Sequence, residues 1–365
     1  MNATMASEVL AQEHFDEADL AALQAGIRTV LAERCGSLDL HAFLDRKLTL
    51  DRIIWEEAAG LGWFAVAIPE VFGGLGLGIR GLQILHQELG RHCVPGPYVA
   101  TLAAARALAS ASSEPVVANV LERIATGELR IAVPAGTAEP AGAAKNAPLL
   151  GDPDSPLALV PVEGGWALVD LGATGSDLNM WDLTRCVFAA ESGAGTVLAR
   201  LPDRVGSDLA EAMALAVAIE SVAGARAIAE QTVEYLKQRK QFDRIVASYQ
   251  ALKHRAADLF MRITTCEKIV QQAVDLAAQG SADAGAWAAL AKAEAVDCYT
   301  FVSEDCVQLH GGVGFTWEFD VHIHLKRARL NEMLVAPNYI MRDRAADGLA
   351  RAALAGRSTL ELPTS

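Results

Sequence analysis

Residues Gln238 to Leu259 read QRKQFDRIVASYQALKHRAADL, and residues Gln308 to Arg329 read QLHGGVGFTWEFDVHIHLKRAR. These two stretches decide the fold, because each interrupts a long helical pattern at a chemically loaded point. The first breaks between two helices and clusters Arg239, Lys240, Arg244, Lys253, His254 and Arg255. A cationic hinge with Gln and Ser beside it can hold a phosphate or pyrophosphate, although such charge runs usually mark a solvated turn. In the second, a helix ends and the chain passes through Gly311, Gly312 and Gly314. Glycines there let backbone approach a flat ligand or another subunit; a plain helix cap followed by the core aromatics Phe315, Trp317 and Phe319 is the competing reading.

Outward from these hinges the pattern is helical on both sides. Long helices are predicted from about 209 to 239, 249 to 280 and 284 to 310, with a last one over about 338 to 355. Residues from about 8 to 128 also read as helical. Leu82, Leu85 and Leu89 share one face, and Gly90 suits a C-cap. Within this region AIPEVFGGLGLG, Ala67 to Gly78, reads as a glycine-rich loop. Between about 129 and 203 the chain becomes rich in Gly and Pro with short apolar runs. LALVPV and WALVDL, joined through Glu163-Gly164-Gly165, predict a β-hairpin. The expected fold is mainly α with a central β-domain, divided into a helical 1–128, a reduced β-domain 129–206 and a helix bundle 207–365. Helices, then strands, then helices argue against alternating βαβ units, and no GxGxxG follows a strand.

The 365 residues carry a formal net charge of −14, which excludes the basic footprint of a nucleic-acid binder but not a local anion pocket. Hydrophobic residues make up 52%, enough for a large core and against a disordered chain. No uninterrupted apolar run is expected to span a bilayer, and the polar, acidic Met1 to Asp19 lacks the pattern of a secretory signal. The six cysteines are scattered without a close CxxC pair, so neither a zinc site nor a disulfide framework is expected. A cytoplasmic location follows as the expectation.

The ordered pattern R-x-Q-F-x-R-x-x-x-S-Y-Q-A-x-K-H-R-x-A-D, then Q-x-H-G-G-x-G-F-T-W-E, resembles the acyl-CoA dehydrogenase family. GWFAVAIPEVFGGLGLG and LHQELGRH resemble that family's N-terminal segments, so the likeness covers most of the chain and is weakest between about 130 and 205. The resemblance implies an N-terminal helical domain, a middle β-domain and a C-terminal four-helix bundle that bind FAD and an acyl-CoA thioester. It implies α,β-desaturation, with a carboxylate taking the α-proton and the flavin taking the β-hydrogen as hydride, and an electron-transfer flavoprotein as electron acceptor. Each flavin of the family lies across a subunit interface. Carried over by motif, Arg239 would meet the neighbour's FAD pyrophosphate, with Gln241, Phe242, Ser248 and Gln250 around it. Gln308, Gly311 and Gly312 would meet the adenosine-side phosphates.

The resemblance also shows what this chain lacks. Ala336 stands where many members carry the catalytic Glu, and Met213 stands where a second class carries it. Glu211, Glu220 and Glu332 are the nearby carboxylates that a relocated base could use, with Glu211 ahead. Thr137, Glu139 and Pro140 only faintly echo the family's flavin-ring segment, and Trp166 is not a convincing replacement for the ring contacts that follow it. Asp243 replaces a common Gly and Ile245 a common Pro. These losses resemble the shorter subunit of bacterial α2β2 acyl-CoA dehydrogenases, including those acting on steroid side-chain thioesters. The expectation is a subunit completing a partner's FAD site. The alternatives are a self-sufficient homotetramer using Glu211 and a structural homologue without flavin.

Overall fold

The computed structural model describes residues 17–136, 148–172, 175–190, 195–241 and 243–357. Among the described residues six α-helices come first: α1 (Glu17–Arg34), α2 (Ser37–Asp45), α3 (Arg52–Gly60), α4 (Gly78–Arg91), α5 (Tyr98–Ala109) and α6 (Pro115–Ala125). Asp51 caps α3 by accepting from the Ile53 and Ile54 amides, and Pro115 begins α6, where its missing N–H costs nothing. Gly90 does not cap α4. It lies inside the helix, because a Cβ there would come 2.4 Å from the Glu220 carbonyl oxygen; the glycine serves a helix crossing.

Seven strands follow among the described residues: β1 (Ile131–Pro134), β2 (Leu149–Leu150), β3 (Leu157–Val162), β4 (Gly165–Asp170), β5 (Ser176–Asp177), β6 (Val187–Ala189) and β7 (Thr196–Leu201). They form one sheet in the order β5-β6-β2-β1-β3-β4-β7, antiparallel except where β1 meets β3. The predicted hairpin is present, with Val162 opposite Gly165 across Glu163 and Gly164, whose φ is 81°. Trp166 on β4 packs against α7, where a Cβ on Gly206 would lie 2.0 Å from its indole nitrogen.

The C-terminal part comprises α7 (Arg204–Gln238), a short hairpin of β8 (Lys240–Gln241) and β9 (Arg244–Ile245), α8 (Gln250–Ala278), α9 (Ala284–His310), α10 (Val321–Met333) and α11 (Asn338–Leu354). Helix α7 is the axis of the molecule and packs against α4, α5, α8 and α9. Its alanine-rich middle is buried on every side, as a central core helix requires. Among the described residues α7 has the length and apolarity to cross a membrane, although Glu220 and Arg226 interrupt its apolar run, and nearly all of its apolar window is buried inside the protein. All six cysteines are buried free thiols.

Candidate functional site

Arg239 ends α7 and turns back over the end of α9. Its Nη1 donates to the His310 carbonyl at 2.6 Å and to the Tyr235 hydroxyl. Tyr235 stacks on His310 with ring centroids 4.3 Å apart, and Phe319 meets both rings edge-on, which fixes the guanidinium's support. Nη2 and Nε of Arg239 have no hydrogen-bond partner among the described residues. Gly311 follows directly with φ 67°, and a Cβ there would lie 3.8 Å from Arg239 Nη1. Gly312 is exposed, with no atom within 4 Å of where a Cβ would stand. The structure therefore brings Arg239 and Gly311 together, with Gln308 one turn earlier on α9.

The hairpin after Arg239 closes through Val246 N–H donating to the Arg239 carbonyl at 2.9 Å. Asp243 sits at its tip with φ 59°, the left-handed conformation that makes Gly common there and that Asp tolerates. Gln241, Ser248 and Gln250 are exposed along this connection, while Phe242 lies outside the described residues. The predicted cationic hinge is only partly free. Arg255 is neutralised by Asp305, whereas Lys240, Arg244 and Lys253 are exposed and have no ion-pair partner among the described residues. An open glycine cradle beside a guanidinium with donors to spare fits a pyrophosphate, the group that FAD would present.

The two positions at which the resemblance leads one to expect a base are closed. Ala336 and Met213 are 0% and 2% exposed. The Ala336 carbonyl accepts from Lys292 Nζ at 2.7 Å, and the same ammonium donates to Asn338 Oδ1 at 2.8 Å and the Glu332 carbonyl at 3.1 Å. Burial pulls Lys292 down to about 7, against the opposing pull of Asp297 and Glu332. Val335, at φ 67°, donates its N–H to the Ala135 carbonyl, tying this segment to the end of β1.

Of the three nearby glutamates, Glu220 is committed elsewhere. It lies 3% exposed and accepts from Arg185 Nη2, from Arg327 Nη1 at 3.4 Å and pairs with His86 Nδ1 at 2.9 Å. Burial would raise its carboxyl, but Arg185, the His86 hydrogen bond and Arg327 outweigh it and hold it at about 2. Arg185 also donates to Asn331 Oδ1, and Arg327 reaches Asp182, Thr184 and the Val94 carbonyl. One buried polar network therefore joins the N-terminal helices, the sheet region and the bundle. Glu332 accepts from Thr300 and Arg329.

Glu211 differs. Its side chain is 25% exposed, 3.8 Å from Arg106, at a pocket of 310 Å³ lined also by Asp208, Ser110, Ser281 and Pro69. Burial raises its carboxyl, Arg106 opposes this and Asp208 adds to it. Glu211 and Arg239 stand 28 positions apart on one helix axis, or about 42 Å at the α-helical rise. They cannot serve one flavin within a protomer. Thr137, Glu139 and Pro140 lie outside the described residues.

Sequence reasoning passed over Asp182, Thr184, Arg185, His86 and Arg327. The available signal was WDLTR, a polar run between two short strands on a buried path, together with the arginines of HLKRAR.

Residues 17–128 match the acyl-CoA dehydrogenase N-terminal domain and residues 208–350 match the acyl-CoA dehydrogenase C-terminal domain. The chain belongs to the acyl-CoA dehydrogenase family, whose members are flavoprotein oxidoreductases. More particularly, it is 31% identical over 88% of its length, and 94% of the relative's, to acyl-CoA dehydrogenase IpdE2 of Mycobacterium tuberculosis. It is 30% identical over 82% of its length, and 88% of the relative's, to IpdE2 of Mycolicibacterium smegmatis. Among solved structures, a variant of the steroid ACAD Tcur3481-Tcur3483 superposes with a TM-score of 0.83 at 25% identity, covering 92% of this chain and 99% of that one. The ChsE4-ChsE5 complex of Mycobacterium tuberculosis shares the fold, with a TM-score of 0.76 at 24% identity over 97% of this chain and 100% of that one.

Proposed function

We propose that this chain is the subunit without the base in an FAD-dependent acyl-CoA dehydrogenase built as α2β2 with an unlike dehydrogenase subunit. The partner carries the carboxylate that takes the α-proton of a bulky or steroid side-chain acyl-CoA thioester. This chain lends the Arg239 corner to the partner's FAD. Bound there, FAD supplies the acceptor for the substrate's β-hydrogen, and an electron-transfer flavoprotein receives the electrons in turn. Arg239, held by Tyr235 and the His310 carbonyl, offers its remaining N–H groups to phosphate oxygens. Gly311 and Gly312 leave backbone accessible, and the exposed Gln241, Ser248, Gln250 and Gln308 would add polar contacts, with Phe242 assigned by its motif alone.

The observation that carries this reading is Arg185. Its guanidinium bridges Glu220, on the helix that bears Met213, to Asn331, on the segment leading to Ala336. The two elements that would frame a resident base are thus stapled together by a buried ion pair. The test is flavin content and assembly mass of the chain expressed alone and with an unlike acyl-CoA dehydrogenase subunit. One FAD per unlike pair, lost in the Arg239→Gln pair, supports the reading. Full flavin and turnover in a homotetramer refute it.

A second reading is favoured by Glu211, a carboxyl raised by burial at the mouth of a 310 Å³ pocket. It makes the chain a self-sufficient homotetramer with Glu211 as base. Glu211→Gln would then abolish substrate reduction of the flavin while flavin binding survives.

A further inference from the structure

At the end of the bundle remote from Gly311, Arg344 and Arg351 on α11 and Arg357 just beyond it line one pocket of 330 Å³. Arg344 and Arg351 are seven residues apart, two turns of helix, so both point from one face. The opposite wall is Ala282, Asp283, Gly285 and Ala286, with Gly348 between the arginines, so apart from Asp283 the pocket's floor carries no side chain larger than a methyl group. A Cβ on Gly348 would lie 2.5 Å from the Ala286 Cβ, which keeps the floor flat and the helices close. Arg357 is oriented by Asp283, its Nη2 donating to Oδ1 at 2.8 Å. Arg344 and Arg351 are exposed and have no acceptor or ion-pair partner among the described residues. Asp347 lies between them on α11 but is not in the pocket wall and pairs with neither. Three arginines thus face one aspartate that is already engaged, on a protein whose net charge is −14. Most other arginines of the bundle are neutralised, as Arg226 is by Glu267 and Arg342 by Asp297.

We infer that this pocket is an anion site that takes a phosphate group. Guanidinium forks match phosphate oxygens, and two forks without protein acceptors around a bare floor leave the anion's oxygens nothing to compete with but water. The phosphate comes either on a nucleotide, such as the 3′-phosphorylated adenosine end of coenzyme A, or free. The site does not depend on the FAD assignment. The 27 residues of α9 separate it from the Arg239 corner by about 40 Å.

The test is calorimetric titration of the protein, in its isolated assembly, with adenosine 3′,5′-bisphosphate and separately with inorganic phosphate. Binding by the wild type is expected to fall at least tenfold in Arg344→Ala/Arg351→Ala and to weaken with added salt. Tighter binding of the bisphosphate assigns a nucleotide; equal binding assigns free phosphate. Because both arginines are exposed and unpaired, the double variant should melt with the wild type. Should it not, the single variant Arg344→Gln takes its place. The inference is overturned if neither probe binds, or if both bind the substituted protein as tightly as the wild type.

Discussion

Glu220→Gln tests the buried network that the functional reading rests on. The Glu220 carboxyl is held at about 2 rather than 4.5. That difference is worth about 3 kcal/mol of folded-state stabilisation at neutral pH, at 1.36 kcal/mol per pKa unit. The group is fully buried, so no reduction for solvent screening applies. Removing its charge also leaves Arg185 with an unpaired guanidinium in the interior, and breaking a buried pair from one side typically costs about 3–5 kcal/mol. With an unfolding entropy of about 2.1 cal/mol/K per residue, the smaller figure lowers the melting temperature by about 4 °C. The sign is fixed by the depressed pKa. The stabilisation is complete above about pH 4.5 and is lost as pH falls through about 2. The gap between wild type and Glu220→Gln should therefore narrow to about 1 kcal/mol at pH 3. Calorimetric melts of both proteins at pH 7 and pH 3 measure this. A shift below about 1 °C at pH 7, or a gap that does not narrow in acid, refutes the staple.

Gly312→Val should leave the melting temperature within about 2 °C, because its Cβ meets nothing within 4 Å, yet should strip FAD from the assembly; retained flavin by absorbance would remove Gly312 from the cofactor corner. Gly74→Ala should destabilise by more than about 1 kcal/mol in a urea titration, since its Cβ would lie 1.8 Å from the Ile68 carbonyl oxygen. Glu211→Gln should leave turnover of an unlike pair within about twofold, and loss of the reductive half-reaction in stopped flow would instead establish Glu211 as the base. Lys292, pulled from 10.5 to about 7, is deprotonated in the folded state while still protonated in the unfolded chain between those values, so its contribution to stability rises with pH across that window. Lys292→Met should remove that rise, read as the difference in melting temperature between pH 7 and pH 9.

The helices were legible because their signal is local. The pattern predicted 284 to 310 and 338 to 355, and the structure places α9 at Ala284–His310 and α11 at Asn338–Leu354. Helix α10 escaped because VHIHLKRARLNEM interleaves buried polar residues with apolar ones. His322, His324, Arg327 and Asn331 are all buried, so the hydrophobic period that marks an ordinary amphipathic helix is absent. Strands β2, β5 and β7 escaped for a different reason. Two of them are two residues long and exist only through pairing with distant segments, and β7 is largely exposed. The Arg239 corner was legible as a motif, but the neutralisation of Arg255 by Asp305, 50 positions away, was not. Gly90 was misread for the same reason, since its neighbour Glu220 is remote in sequence and only the crossing of α4 over α7 explains the missing Cβ.

The geometry of α7 links these points to function. A helix of 35 residues carries its exposed, cationic end at Arg239 and its pocket-facing carboxylate at Glu211, with the Glu220 network between them. The Arg239 end is exposed, and the guanidinium's Nη2 and Nε have no protein acceptor among the described residues. On the proposed reading, a resident base would need a free carboxylate near Ala336 or Met213 and space beside it. Here Lys292 occupies the carbonyl at the first position, Arg185 ties together the segments bearing both, and neither residue reaches solvent. Single substitutions at Ala336 or Met213 to Glu should therefore fail to create a base in the isolated chain, because each would bury a carboxylate without the partners that hold Glu220 ionised. Substrate-dependent bleaching of flavin in an isolated Ala336→Glu or Met213→Glu chain would mean that the closed core opens readily, and that the missing base alone separates this chain from a complete dehydrogenase.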